Sequence, residues 1–283
     1  GTDCFLQRHP ERFVDVGICE PHAVTFAAGL AAQGFLPAVC IYSTFLQRAY
    51  DQIVHVVCLQ NLGVKFFLDR AGLVGEDGAT HHGIFDIAYL RHVPNLVFMS
   101  PKDEAELAQM VATAFATPGP VAVRYPRGVG IGAEAPPPPA ELEILPLGRG
   151  ELLREGADVL VIALGSRVYP ALEGAQELEA EHGLSVAVFN ARFIKPLPEE
   201  QILELAARFG SIVTAEEGCL AGGFGSAVLE LLADRGLLAG KKVVRVGVPD
   251  AFIEHGKPAE LRAIAGIDKA GLKRAMKEAA EKA

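Results

Sequence analysis

Short apolar runs alternate with amphipathic stretches along the first half of the chain. Near-continuous apolar runs are typical of strands that are buried on both faces of a parallel sheet. Between the runs, apolar residues recur at intervals of three and four, which is typical of helices with one buried face. The pattern predicts strands near residues 13–18, 36–42, 64–69, 95–99 and 121–124, and helices near 21–33, 45–61, 85–93 and 103–117.

The alternation returns after a proline-rich stretch. It predicts strands near 158–164, 185–189, 211–214 and 243–246, and helices near 170–182, 198–209, 222–235 and 269–282. The prolines from Pro136 to Pro139 separate the two halves, because such a run can form neither a helix interior nor a central strand. We therefore predict two parallel-sheet α/β domains, at residues 1–133 and 148–283, joined by a Pro-rich linker at 134–147.

Composition narrows the class of protein. The chain has 283 residues, 50% of them hydrophobic, and no apolar run is long enough to span a membrane, so we expect a protein without a membrane partner. The formal charge of −9 argues against nucleic acid as a partner. The five cysteines include no Cys-x-x-Cys pair, and no secretory signal is visible. Reduced thiols in the cytoplasm fit this pattern best.

Chemically active side chains follow the predicted strands. An isolated glutamate before a helix would usually serve only to favour the helix dipole. Ligands bind at the carboxyl ends of strands in open α/β sheets, however, so several such residues at one edge predict an active site. The residues in question are Glu20, Tyr42, Phe45, Arg70, His81 and Arg127.

Four motifs carry a resemblance to a known family. They read Asp-Val-Gly-Ile-Cys-Glu-Pro-His at 15–22, Tyr-Ser-Thr-Phe-Leu-Gln-Arg-Ala-Tyr-Asp-Gln at 42–52, Asp-Arg-Ala-Gly at 69–72 and Asp-Gly-Ala-Thr-His at 77–81. From about Arg12 to its end, the chain resembles the pyrimidine-binding and C-terminal domains of the 1-deoxy-D-xylulose-5-phosphate synthases, thiamine-diphosphate enzymes of the transketolase superfamily. The chain departs from the family pattern at Cys19 (usually alanine), Pro21 (usually glutamine) and His82 (usually glutamine).

The resemblance implies a reaction and a cofactor site. Enzymes of this family condense pyruvate with D-glyceraldehyde 3-phosphate to 1-deoxy-D-xylulose 5-phosphate and CO2, which feeds isoprenoid, thiamine and pyridoxal phosphate synthesis. The resemblance makes Glu20 the catalytic carboxylate that bonds to the aminopyrimidine ring of thiamine diphosphate. Phe45 would stack on that ring, and Ile18 would hold the cofactor bent.

The resemblance also assigns a substrate site. Tyr42, Arg70 and Arg127 would hold the acceptor phosphate, since the planar fork of arginine suits phosphate oxygens. Two further arginines come into consideration, Arg48 nearby and Arg124 as a weaker candidate. His81 would protonate or orient the bound intermediate, as histidine titrates near neutral pH, and Asp77 would orient the acceptor. The role of His82 stays open.

The family's motif for Mg²⁺ and diphosphate, Gly-Asp-Gly followed by Asn-Asn, does not occur in the sequence. No metal ligands are therefore assigned to this chain. The resemblance implies an N-terminal diphosphate-binding domain or chain as a partner, inactivity of this chain alone, and a homodimer of the complete enzyme. Alternatives are the β subunit of a 2-oxo-acid dehydrogenase, the C-terminal half of a transketolase, and a non-catalytic interaction module of the same fold.

The second half offers less chemistry. Gly222-Gly223-Phe224-Gly225 suggests a phosphate-binding loop, but Val228 stands in place of the third glycine of a dinucleotide fingerprint. Glu216, Glu217 and His255 fall on predicted loops, where solvated or interface roles are favoured over an acid/base set. By resemblance this domain mainly supports the dimer.

Overall fold

The computed structural model describes residues 2–132 and 137–281. In the first half, the strands are β1 (Ala38–Tyr42), β2 (Lys65–Asp69), β3 (Val97–Met99) and β4 (Val121–Arg124). The helices are α1 (Asp3–Arg8), α2 (Glu20–Ala32), α3 (Ser43–Leu46), α4 (Asp86–Leu90) and α5 (Glu104–Ala116). Short 3-10 turns lie at Pro10–Arg12, Gln47–Ala49 and Gly78–Thr80, and Gln52–Cys58 is π-helical.

The second half repeats the alternation. Its strands are β5 (Glu151–Arg154), β6 (Val159–Ala163), β7 (Val186–Asn190), β8 (Phe193–Lys195), β9 (Ser211–Cys219) and β10 (Lys242–Val248). Its helices are α6 (Val168–His182), α7 (Glu199–Arg208), α8 (Phe224–Asp234), α9 (Pro258–Ile264) and α10 (Lys269–Ala280), with 3-10 turns at Pro139–Glu141 and Gly165–Arg167. The sequence did not predict β5, β8, α1 or α9, all of which are short.

The strands form two five-stranded sheets with the orders β1-β2-β4-β3-β8 and β10-β9-β6-β7-β5. Neighbouring strands run parallel except at one edge of each sheet, where β8 and β5 are antiparallel. The prediction of two parallel-sheet α/β units is therefore confirmed, and each sheet also carries one antiparallel edge strand. β8 belongs to the second half of the chain, yet it pairs with β3 of the first sheet.

The predicted strand at 13–18 is wrong. Val14 is 59% exposed, Ile18 is 91% exposed, and the segment pairs with no strand in the described part of the chain. The Asp15 carboxylate instead accepts the backbone N–H of Gly17 at 2.8 Å, and Gly17 has a left-handed φ of 65°. A local side-chain turn thus competes with extended pairing.

The linker after β4 packs back onto the first half. Residues 134–136 of the predicted 134–147 linker lie outside the described ranges. Beyond them, Leu145 is buried against α5, and its backbone N–H donates to Thr113 Oγ1 at 2.9 Å. The proposed domain limits at 133 and 148 stay a prediction.

Candidate active site

An aromatic cluster lies at the carboxyl end of β1. Tyr42 ends that strand, and Phe45 follows in the first turn of α3. Their rings stack with centroids 5.5 Å apart and an interplanar angle of 18°. The His81 ring meets Phe45 edge-on at 5.2 Å. Three side chains from two separate motifs thus converge, as the sequence predicts.

Arg70 joins this cluster from the end of β2. Its guanidinium carbon lies 3.7 Å from the centroid of the Tyr42 ring, a cation–π contact. The Asp69 carboxylate accepts both Arg70 Nη1 at 2.6 Å and the Arg70 backbone N–H at 2.7 Å. Arg70 also has a φ of 59°, which is uncommon for a residue with a side chain. These contacts fix the guanidinium beside the Tyr42 ring.

Glu20 is connected to the same cluster through Arg48. Glu20 begins α2 and is only 8% exposed. Arg48 Nη1 lies 3.2 Å from Glu20 Oε1, and the Arg48 guanidinium carbon lies 5.1 Å from the Phe45 ring centroid. Arg48 therefore links a nearly buried carboxylate to the face of an aromatic ring.

The segment 72–83, which we call the site loop, carries Asp77 and His81. Thr44 Oγ1 donates to the Thr80 carbonyl at 3.2 Å, and Thr80 Oγ1 lies 2.8 Å from His81 Nδ1. Arg127, which follows β4, reaches the loop with Nη1 3.7 Å from Asp77 Oδ2. Apart from Arg124, the residues predicted for the substrate site thus lie on one rim.

Two other candidates lie elsewhere. Ile18 is 91% exposed, so it is not the last residue of a buried strand. Arg124 is 4% exposed, with Nε 2.8 Å from Asp86 Oδ2 and Nη2 3.0 Å from the Glu217 carbonyl. Because its donors are committed inside the protein, Arg124 is excluded as a phosphate anchor. Its motif position alone did not reveal this.

Glu216 and Glu217 lie in the buried strand β9, not on loops as predicted. The Glu216 carboxylate accepts the backbone N–H groups of Phe224 and Gly225 at the start of α8, both at 2.8 Å. An internal carboxylate thus occupies the place where a phosphate would bind, and the glycine-rich stretch is not a nucleotide site. Burial raises the pKa of Glu216 to about 7, although these two hydrogen bonds act to lower it.

Glu217 forms a buried ion-pair cluster that sequence reasoning missed. Its Oε2 lies 3.0 Å from Arg167 Nη2 and accepts from Ser166 Oγ at 2.7 Å, and its Oε1 accepts from Arg262 Nε at 3.0 Å. Burial alone would raise the pKa of Glu217, but the two arginines outweigh it and bring the pKa to about 2. The carboxylate is therefore ionised at any physiological pH.

Two negative findings concern the described residues only. No group of three or more His, Cys, Asp or Glu side chains within 2–132 and 137–281 is placed to hold a metal ion. None of the helices in these ranges is long and apolar enough to cross a bilayer.

Comparison with known proteins defines the class. The family described as "Transketolase, pyrimidine binding domain" matches residues 1–130, and "Transketolase, C-terminal domain" matches residues 148–272. A solved structure titled "Split gene transketolase, inactive beta4 tetramer" is 35% identical with a TM-score of 0.85, covering 98% of this chain and 86% of that one. Transketolase from Leishmania mexicana, at 20% identity and a TM-score of 0.73, shares the fold. The chain belongs to the transketolase family.

Within that family the chain is similar to 1-deoxy-D-xylulose-5-phosphate synthases. It is 61% identical over 278 residues to that of Oleidesulfovibrio alaskensis, covering 98% of this chain and 43% of the relative. It is 59% identical over 272 residues to 1-deoxy-D-xylulose-5-phosphate synthase 1 of Geobacter sulfurreducens, covering 96% and 42%. The chain thus spans less than half the length of these relatives.

Proposed function

We propose that this chain forms the pyrimidine-binding side of a 1-deoxy-D-xylulose-5-phosphate synthase active site. The reaction would be the condensation of pyruvate with D-glyceraldehyde 3-phosphate, with loss of CO2, at the start of isoprenoid precursor synthesis. The observation that carries the proposal is the contact chain in which Arg48 joins Glu20 to Phe45 while Arg70 lies on Tyr42. The two named relatives, at 61% and 59% identity, support it.

Glu20 and Phe45 would hold the aminopyrimidine ring of thiamine diphosphate. When bound, this cofactor would supply the nucleophilic carbon for the condensation. The Glu20 carboxyl would share a proton with the ring nitrogen, a step of positioned acid/base catalysis. Phe45 would pack its face against the ring. Ile18 stays a proposed contact, to be formed only if its segment moves inward.

The acceptor aldehyde would bind across the rim. Arg70 and Arg127 offer guanidinium groups to its phosphate, and Tyr42 offers a hydroxyl. Arg48 would add positive charge between the cofactor and the acceptor. His81 would give or take a proton at the substrate hydroxyl or carbonyl oxygen, and Asp77 would orient the acceptor.

The chain needs a partner for this chemistry. Its diphosphate-binding part, with the Mg²⁺ ligands, would lie on an N-terminal domain or a separate chain, because the relatives are more than twice as long. We call the two together the complete enzyme, which we propose to be a cytoplasmic homodimer. A separate-chain arrangement is the second candidate, favoured by the similarity to a split-gene transketolase.

Turnover by the complete enzyme tests the proposal. Pyruvate and glyceraldehyde 3-phosphate should yield 1-deoxy-D-xylulose 5-phosphate, detected by mass spectrometry, only when both parts, thiamine diphosphate and Mg²⁺ are present. Product from ribose 5-phosphate and xylulose 5-phosphate instead would show a transketolase. No product from either pair would favour the interaction module.

A further inference from the structure

The site loop is anchored by the second half of the chain. Its two ends are joined by reciprocal backbone hydrogen bonds of 2.8 Å between Gly72 and Gly83. The Leu73 side chain is 2% exposed and packs in the apolar core of the second sheet, together with Val161 of β6. The base of the loop thus belongs to the second core, although the loop follows a strand of the first sheet.

A buried carboxylate fixes the first turn of this loop. Glu217 Oε1 accepts the backbone N–H of Leu73 at 3.1 Å. A Cβ placed on Gly72 would lie 2.7 Å from Glu217 Cγ, so the two chains are in close contact with no room for a side chain. Arg167 and Arg262 keep Glu217 ionised and in place. A charge-assisted hydrogen bond therefore holds the loop backbone.

His82 ties the two ends of the loop to the same half. It is 2% exposed, and its Nδ1 accepts the Val74 backbone N–H at 3.1 Å. The other nitrogen, Nε2, therefore carries the proton and donates to the Glu254 carbonyl at 3.2 Å. One neutral tautomer satisfies both contacts. Glutamine, the family's usual residue here, can supply the donor that Nε2 provides.

The outer turn of the loop is covered by the segment 254–258. The Gly256 N–H donates to the Gly75 carbonyl at 3.3 Å, and a Cβ on Gly75 would lie 3.0 Å from Pro258 Cδ. A Cβ on Gly78 would lie 3.2 Å from His255 Cβ. The loop is therefore in contact with the second half at its base and at its outer turn.

We propose that Glu217 and His82 are positioning residues, which hold the site loop so that His81 faces Phe45 and Asp77 faces Arg127. The inference rests on the proposed function and deepens it. It gives the second half of the chain a part in catalysis beyond the support of a dimer. Catalytic groups must be held within about 0.5 Å of the productive geometry, and these two side chains supply that restraint from outside the reacting rim.

Substitutions at His82 in the complete enzyme test the proposal. His82→Leu removes both ring hydrogen bonds at similar volume, and His82→Asn restores an acceptor at the place of Nδ1. Because small misplacements of reacting groups are costly, we expect His82→Leu to lower kcat by about 10- to 100-fold with little change in KM for pyruvate. His82→Asn should recover most of the rate. Glu217→Gln should act like His82→Leu if it folds.

Amide hydrogen exchange gives a second readout that does not depend on turnover. The Leu73 and Val74 N–H groups should exchange at least about 10-fold faster in His82→Leu, with the rest of the chain unchanged. Arg91→Leu is the matched control. Arg91 joins the two halves through the Gly222 carbonyl and Glu230 but does not touch the site loop, so its loss should leave both readouts unchanged.

The proposal would be overturned if His82→Leu had the same amide exchange and the same kcat as the wild type. It would also be overturned if Arg91→Leu had effects as large as those of His82→Leu, because both variants would then only loosen the contact between the halves. If the wild-type enzyme fails to make 1-deoxy-D-xylulose 5-phosphate, the proposed function fails. The exchange measurement then still decides whether His82 holds the loop.

Discussion

Arg48 Nη1 lies 3.2 Å from Glu20 Oε1, across an interval of 28 residues in sequence. Arg48 is largely exposed, whereas the Glu20 side chain is only 10% exposed. The ion pair therefore lies at the mouth of the candidate site, with the carboxylate on its inner side. A ring nitrogen that bonds to Glu20 would have to share the carboxylate with Arg48 or replace it as the partner.

Glu20→Gln should disable the complete enzyme without unfolding it. A glutamine keeps the shape but cannot exchange a proton with the aminopyrimidine nitrogen. We expect turnover to fall by about 100-fold or more, measured as product formed from pyruvate and glyceraldehyde 3-phosphate, with an unchanged circular dichroism spectrum. Glu200→Gln, at an exposed site on α7, serves as the control. A near-wild-type rate for Glu20→Gln would remove this residue from the mechanism.

Arg70→Ala should harm the use of phosphorylated acceptor selectively. Loss of a charge-assisted contact to phosphate costs about 1.5–3 kcal/mol, roughly 10- to 150-fold in kcat/KM for glyceraldehyde 3-phosphate. Unphosphorylated glyceraldehyde should be affected far less. Arg149→Ala, which removes only a surface pair with Glu200, controls for the loss of one positive charge. Equal losses for both aldehydes would contradict a phosphate role for Arg70.

The isolated chain should bind thiamine diphosphate weakly. In the proposed site, Glu20 and Phe45 would meet only the aminopyrimidine end, and the described residues offer no cluster for the metal. The charged diphosphate would lack the specific partners that it needs on leaving water. Calorimetric titration with thiamine diphosphate and Mg²⁺ should show no tight site, and pyruvate should not be decarboxylated, until the diphosphate-binding part is added. Micromolar binding by the isolated chain would contradict this assignment.

Glu216 should make the stability of the fold depend on pH. Its folded-state pKa of about 7 lies above the ordinary value of 4.5, so the folded state binds the proton more tightly than the unfolded state. This stabilising contribution is fully present below pH 4.5 and is lost as the pH rises through about 7.

The test measures unfolding free energies of the wild type and of Glu216→Gln by urea denaturation at several pH values from 4.5 to 8. The difference between the two proteins is then compared across these pH values. Glutamine does not titrate, so the wild type should lose stability relative to the variant as the pH rises. A difference that is flat with pH would mean that the hydrogen bonds from Phe224 and Gly225 keep the carboxylate ionised throughout.

Local patterns predicted the parts of the site that depend on neighbours in sequence. Tyr42 and Phe45 are predicted together because a strand ends where a helix begins, and Arg70 because it follows a strand directly. The prediction of a strand at 13–18 was wrong because an apolar pattern does not show whether a neighbouring strand is present to pair with. The turn formed by Asp15 and Gly17 is also favourable by itself.

The contacts that hold the site loop could not be predicted in this way. Glu217 and Leu73 are 144 residues apart, and His82 and Glu254 are 172 apart. Their pairing depends on how two sheets pack, which no local periodicity encodes. The charge of Glu217 suggested an exposed position, whereas three side chains and the Leu73 backbone N–H bind its carboxylate inside the protein. The same holds for Arg124, whose motif position suggested a ligand contact.

β8 belongs to the second half of the chain but completes the sheet of the first half. This pairing bears on how the halves of different relatives can be combined in one chain. A chimera joined within the proline-rich linker would bring a foreign β8, whose backbone must match β3 at the Phe98–Lys195 pair. Lys195 also donates to the Val93 carbonyl. A graft of the second half alone therefore replaces one edge strand of the first sheet. We therefore expect hybrids between relatives to be more stable when β3 and β8 come from the same parent.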